Sequence, residues 1–270
     1  MAPTRTATDY GLYVDQGANI CLNKITAVMP ESIVSLPADD PRISRGLFTV
    51  AEAAGWLGVP RSTFRNWAMG YTKRGRDGPR IGPRPIVLTV PSRRGEPGVP
   101  FLGLAEGLVL NAFRRAGVPL QRIRPALERL DQEMGLEHAL ASDRLFTDGV
   151  EVLFDYGARL QPASISELVT VRSGQRVFAP LVREYLRRIS YADDHWASQV
   201  ELPGYQHARV VVSVDLASGR PVLQPTRVPV EDVVDRWIAG DSITELASGF
   251  GLESREVEDV VRAATRRCAA

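Results

Sequence analysis

The chain has 270 residues, 33 Lys and Arg against 32 Asp and Glu, and 44% hydrophobic residues. That length suggests about two domains of roughly 100–200 residues each, and a net charge of +1 excludes a uniformly basic nucleic-acid binder while leaving room for opposite charges on different domains. Cys21 and Cys268 lie near opposite ends with no Cys-x-x-Cys or Cys/His cluster, which argues against a zinc site or a disulfide framework.

No apolar run approaches the ~20 residues of a membrane span, and the start lacks a signal-peptide pattern. The expectation is a cytoplasmic protein that does not engage membranes. Residues 1–45 read as an extension punctuated by Pro30, Pro37 and Pro41, with one strand conceivable over 20–29. From Gly46 the pattern sharpens. Thr49 is a candidate N-cap for a helix over 51–57, Gly58-Val59-Pro60 stops it, and a second helix runs from Arg61 to Met69 with Phe64 and Trp67 on one face. A basic glycine-rich loop over 73–80 follows. The run Pro85 to Val90 then reads as a strand, completing the order of a winged helix-turn-helix.

Residues 101–135 have helical spacing broken at Gly117-Val118-Pro119, and these apolar helices are a candidate dimer contact. Val150 to Tyr156 reads as a strand. Two β-prone runs, 168–172 and 175–178, flank Ser173-Gly174 and predict a hairpin, and Pro180 opens a helix through Ile189. The last block has a strand over 210–214, a turn at 218–221, a helix over 230–239, a second helix capped by Asp241, and a third that Ser254 can cap. The fold class is therefore α+β, mainly helical. It comprises an extension (1–45), a winged helix-turn-helix with following helices (46–149), a small mixed hairpin and helix region (150–207), and a C-terminal helix-turn-helix-like unit (208–270).

A repeated spacing carries the functional argument. Ala54, Gly58 and Phe64 stand at the same relative positions as Ala247, Gly251 and Val257. This is helix-turn-helix grammar: a small residue for close helix approach, Gly for the turn, an apolar anchor in the second helix. The charges differ. Residues 61–95 hold nine basic residues and one acid, net +8; residues 229–262 hold nine acids and three Arg, net −6. Closely spaced DNA phosphates attract the first and repel the second.

In the first motif Arg61, Ser62, Thr63, Arg65 and Asn66 lie at the helix end that reaches base edges, where Arg suits guanine and Asn adenine. Lys73, Arg74, Arg76, Arg80 and Arg84 would contact phosphates or the minor groove beside it. The competing reading is a solvated basic loop. Trp56 and Trp67 read as core. His138, His195 and His207 are too scattered for a ligand set, and Asp193-Asp194-His195 reads as a solvated loop. No nucleophile elbow, phosphate-binding loop or dinucleotide fingerprint appears, so neither catalysis nor a cofactor is expected.

The rear block, with Val214-Asp215, Gly219-Arg220-Pro221-Val222, Thr226-Arg227-Val228-Pro229-Val230, Asp235, Ala239 to Ile243 and Glu256-Val257, resembles the small helical domain of unknown function found in many bacterial antitoxins. The front block, with Phe48 to Ala54 and Ser62 to Trp67, resembles a MerR-type winged helix. Together they resemble the long VapB-type antitoxins of actinobacteria. The resemblance implies an antitoxin that neutralises a PIN-like ribonuclease toxin and represses its own operon at operator double-stranded DNA; a homodimer is expected because helix-turn-helix proteins usually read two half-sites. Arg220, Arg227, Asp232, Asp235, Asp241, Glu245 and Glu256 are the candidate toxin-binding residues. Two readings of Arg220 and Arg227 stay open: holding the turns around Gly219–Pro221 and Thr226–Pro229, which is favoured, or reaching the acidic metal site of the toxin. The alternative function is a stand-alone MerR-like regulator whose rear domain senses a ligand or mediates oligomerisation.

Overall fold

The computed structural model describes residues 35–268, apart from 71, 76–77, 82–83, 119, 135–136, 146–152, 154–168 and 173–174. The expected strands over 20–29 and 150–156 fall outside these, Leu153 alone excepted. Chain order begins with a short helix α1 (Pro41–Ser44), then α2 (Val50–Leu57) and α3 (Arg61–Met69). Thr49 caps α2 through a reciprocal capping box: its hydroxyl accepts from the Glu52 backbone N–H, and the Glu52 carboxylate accepts from the Thr49 N–H at 2.8 Å. Gly58 ends the helix at φ 64°, a left-handed turn that glycine enters without strain.

The wing differs from the expectation. β1 (Thr72–Gly75) and β2 (Gly78–Ile81) form an antiparallel hairpin inside the predicted basic loop. The run Pro85 to Val90, predicted as a strand, joins no sheet. Its apolar pattern has another cause: four of its N–H groups find partners outside any ladder. Ile86 and Val87 donate to the Trp67 carbonyl at the end of α3, Leu88 donates to the Glu106 carboxylate, and Val90 donates to the Gly98 carbonyl. The segment is a strap over the core rather than a ladder strand.

α4 (Phe101–Arg115) is the hub. Every residue from Phe101 to Phe113 is buried, including Glu106 and Asn111. Such all-round burial occurs only where neighbours cover every face; here α1, α2, α3, α6 (Pro180–Leu186) and the sheet all contact it. Each fully buried Leu or Phe contributes about 1.5–3 kcal/mol. Burial also removes α4 from the role of dimer contact that its apolar pattern suggested. Gly107 lets the helix-turn-helix sit down on α4: a Cβ there would lie 2.6 Å from the Phe64 ring and 2.9 Å from Leu57. The two buried polar side chains are satisfied. Asn111 donates to the Leu57 carbonyl at 2.9 Å, closing the end of α2. The second carboxylate oxygen of Glu106 meets the His138 Nδ1 at 2.8 Å. Burial opposes the charge on His138, but the Glu106 hydrogen bond and charge outweigh it and hold its pKa above the usual value.

α5 (Leu120–Met134) follows the predicted break. The predicted hairpin forms as β3 (Val169–Arg172) and β4 (Gln175–Phe178), with Arg172 opposite Gln175. The helix opened by Pro180 ends at Leu186, three residues early, because Ile189 starts β5 (Ile189–Tyr191). With β6 (Ala197–Glu201), β7 (Val210–Val212) and β8 (Val222–Leu223) it makes an antiparallel sheet in order β5-β6-β7-β8. This sheet draws strands from both sides of residue 208.

Three helices follow: α7 (Val230–Ile238), α8 (Ile243–Phe250) and α9 (Ser254–Cys268). Ser242, not Asp241, caps α8, in a second capping box with Glu245. Asp241 is instead paired with the Arg236 Nε at 2.6 Å. Ser254 lies inside α9; the Glu256 carboxylate satisfies the Glu253 N–H before it. The fold is α+β and mainly helical.

Candidate nucleic-acid interface and rear surface

α3 is divided by its sequence into two faces. Phe64, Trp67 and Ala68 are buried, with the Phe64 and Trp67 rings 6.0 Å apart. Arg61, Ser62 and Arg65 are exposed, and Thr63 and Asn66 are half-exposed. The N-cap is Pro60, which offers no side-chain acceptor, so the first-turn N–H groups of α3 stay open to an outside anion. The hairpin register sets Lys73 opposite Arg80 and Arg74 opposite Pro79. Arg84 is exposed at the foot of the wing; Arg76 lies outside the described residues. Sequence reasoning missed Arg93 and Arg94 as candidates. They sit exposed on a turn closed by the Glu96 N–H to the Arg93 carbonyl, and the pair of adjacent Arg in a Pro/Gly-bounded loop was the available signal.

The rear motif repeats the front one residue for residue. Thr49, Glu52, Ala54, Gly58, Phe64 and Trp67 correspond to Ser242, Glu245, Ala247, Gly251, Val257 and Val260. Both first helices carry capping boxes, both turns are left-handed glycines at φ 64° and 67°, and both anchors are fully buried. The reading faces differ. Asn66 corresponds to Asp259, which is 1% exposed and accepts backbone N–H bonds from Gln206, His207 and Ala208 at 2.5, 2.8 and 3.1 Å. In the rear motif that face is filled by the chain's own loop.

The acidic candidates also sort out. Glu245 is the capping-box partner of Ser242 at the start of α8, and its hydrogen bonds to Ser242 hold its carboxyl below the usual range. Glu256 is the N-terminal partner of α9. Asp232 and Asp235 are exposed on α7 and take no salt bridge among the described residues. Arg220 pairs with Glu231, joining the turn to the first turn of α7. Arg227 is exposed with φ 60°, and its N–H donates to the Leu223 carbonyl at 2.7 Å. Two large apolar side chains beside these acids went unnoticed in the sequence: Trp237 and Ile238, 37% and 70% exposed. In the sequence they fall inside the helix expected over 230–239, with no role assigned to them.

The Asp193-Asp194-His195 segment is structural. Asp194 bonds Arg42 and the Trp196 N–H, and His195 meets Asp143 at 3.0 Å. The Arg42 guanidinium between Asp40 and Asp194 lowers the pKa of both carboxyls.

A winged helix-turn-helix fused to a second, acidic copy of the motif defines a class: a protein with a DNA-binding-type front unit and an acidic rear unit built on the same motif. Residues 46–127 match the family described as "Putative DNA-binding HTH domain", and residues 210–262 match "Protein of unknown function (DUF433)". The chain is 43% identical over 223 residues to the "Putative antitoxin VapB45" of Mycobacterium tuberculosis, covering 80% of this chain and 93% of that one. It belongs to the family of that antitoxin. It is also 25% identical over 235 residues to the uncharacterized protein Rv2308 of the same organism, covering 81% of this chain and 90% of that one. The crystal structure of Rv2018 from Mycobacterium tuberculosis matches with a TM-score of 0.70 and 39% identity, covering 82% of this chain and 99% of that one.

Proposed function

We propose that the protein is a cytoplasmic type II antitoxin that represses its own operon through α3 and the β1–β2 wing and neutralises a PIN-like ribonuclease through its acidic rear unit, acting as a homodimer without catalysis of its own. The front role falls to residues 46–149 and the rear role to 208–270, with 150–207 between them. The observation that carries the reading is the pairing of two matching motifs with opposite surfaces. One leaves Arg61, Ser62, Thr63, Arg65 and Asn66 facing outward; the other fills that face from within and turns acids to solvent. The wing register supports the first half. Like charges directly opposite, as at Lys73 and Arg80, disfavour a hairpin in isolation, and a phosphate relieves them. In this reading Arg84 adds a further phosphate contact, and Arg74 and Arg76 supply the remaining basic charge of this segment. Of the candidate rear acids, Asp232 and Asp235 are the two whose carboxylates neither cap a helix nor pair with an Arg among the described residues, and Arg220 and Arg227 act through the turns they occupy.

The test titrates the full chain against the DNA upstream of its own gene and co-expresses it with the protein encoded beside it. A Arg61/Arg65/Asn66 triple alanine variant loses sequence-specific binding, each bidentate contact accounting for about 1–3 kcal/mol, while still suppressing toxicity. Unchanged DNA binding by the triple variant, or unchanged toxicity with wild-type protein, refutes the corresponding half.

One observation favours a stand-alone MerR-like regulator, though with its ligand site in the front unit rather than in the rear domain that the sequence suggested. A cleft of about 830 Å³ lies between the strap and α5, lined by Arg84, Leu88, Glu106, Arg124, Asp131 and His138. Retained operator control in a strain lacking the neighbouring gene would support it.

A further inference from the structure

The apolar stripe of α7 is longer than the chain covers. Val230 and Val233, at its inner end, are 2% and 0% exposed, and Val234 is half-buried. Trp237 and Ile238, at its outer end, stand in solvent. Helical geometry puts Val234 and Ile238 one turn apart on one side and Val233 and Trp237 on the adjoining side. The stripe therefore runs continuously out of the core onto the surface. The outer end is also braced. The Arg236 guanidinium lies 5.2 Å over the Phe250 ring and holds Asp241. Gly249 leaves the room: a Cβ there would stand 3.2 Å from that guanidinium. Trp237 and Ile238 thus project from a short helix whose last turn is fixed to α8, so little ordering entropy remains to be lost on binding.

A large aromatic beside an aliphatic, held rigid and rimmed by charge, has the composition of an interface anchor. The rim selects the occupant. Asp235 is one turn from Ile238 and Asp232 continues the acidic side of α7, both without a salt bridge among the described residues, whereas Glu231 and Asp241 are already paired with Arg220 and Arg236. A two-fold contact between copies would place each acidic rim against its own image, and like charges brought together across an interface cost affinity. A partner with an apolar notch bordered by Lys and Arg meets both features at once.

We propose that Trp237 and Ile238 form the anchor by which the rear unit docks its toxin, inserting into an apolar notch with a basic border while Asp232 and Asp235 set orientation. This deepens the antitoxin reading and rests on it.

The experiment measures binding of the full chain to the purified protein encoded beside its gene, by calorimetric titration. Trp237→Ala and Ile238→Asp each weaken binding by roughly 30-fold or more, as truncating an anchor does. Asp235→Lys weakens it by about 10-fold and flattens its salt dependence. Asp39→Lys, a charge reversal at an exposed acid outside the rear unit, leaves it unchanged. Circular dichroism of each variant matches wild type, since the altered side chains are exposed; should Trp237→Ala lose structure, Ile238→Asp and Asp235→Lys carry the test alone. Wild-type affinity in both Ile238→Asp and Asp235→Lys overturns the anchor while leaving the antitoxin reading intact. Loss of self-association in sedimentation with toxin affinity unchanged makes the patch a copy-to-copy contact and overturns it too. Absence of binding by wild-type protein overturns the antitoxin reading itself.

Discussion

The front and rear helix-turn-helix units are built alike to a degree that makes their differences informative. They share a capping box, a left-handed glycine turn and a fully buried anchor at matching positions. They differ at the residues that those shared features leave undetermined. Asn66 is half-exposed, whereas Asp259 is locked under the 206–208 loop; Arg65 becomes Glu258. The motif is thus a way of holding two helices. What it recognises depends on the second helix's outer face and on whether the chain itself already occupies that face.

Removing the anchors should split the units by the largest margin. Phe64→Ala empties a site between α2, α3 and α4 and should destabilise the protein by about 3–5 kcal/mol, more than Val257→Ala, because a larger side chain leaves a larger cavity. Urea unfolding measures both; equal losses would mean that the rear anchor holds as much of the core as the front one.

Asp259→Ala comes next. It strands three backbone donors near a buried helix face and should cost about 2–4 kcal/mol, whereas Asn66→Ala should change stability by no more than about 0.5 kcal/mol and act on DNA binding instead. A melting curve of each variant decides the matter, and a tolerant Asp259→Ala would break the claim that the rear face is spent internally.

The caps give the smallest effect and sharpen the likeness. Thr49→Ala and Ser242→Ala should each cost about 1 kcal/mol in chemical denaturation, by matching amounts. A cost confined to one of them would show that the two capping boxes contribute unequally despite identical geometry.

The elements that local chemistry decides could be read in advance. Thr49, Gly58, Gly251, the Ser173-Gly174 turn and the apolar spacing of α3 and α4 gave boundaries within a few residues. Where distant groups decide, local pattern misled. β1 and β2 are Thr-Lys-Arg-Gly and Gly-Pro-Arg-Ile, without the alternation of a half-buried strand, and were read as loop. The strap over 85–90 has a strand's composition, but its donors go to Trp67, Glu106 and Gly98, partners that no local window reveals. Ile189, the first residue of β5, was read as a helix end because its pairing partner lies beyond a turn of unremarkable sequence. Among site residues the same line holds. The outward face of α3 was legible from spacing, whereas the capping duties of Glu245 and Glu256 and the exposure of Trp237 depend on which neighbours arrive.

Leu47 packs against the turn at Gly219, where a Cβ would come within 2.6 Å of its side chain, and the Trp56 ring lies 6.5 Å from that of Tyr205. These contacts clamp the segment leading into α2, and α2 itself, to the turns flanking β7 of the rear sheet. A rear module strung on a loose tether would let its cargo wander around the double helix. Clamped at these two points, the rear surface keeps a set bearing to α3, so that if α3 faces DNA as proposed, cargo on one end would arrive at the other as a fixed lever arm, and the spacing of bound copies along a promoter would become sensitive to whether that cargo is aboard.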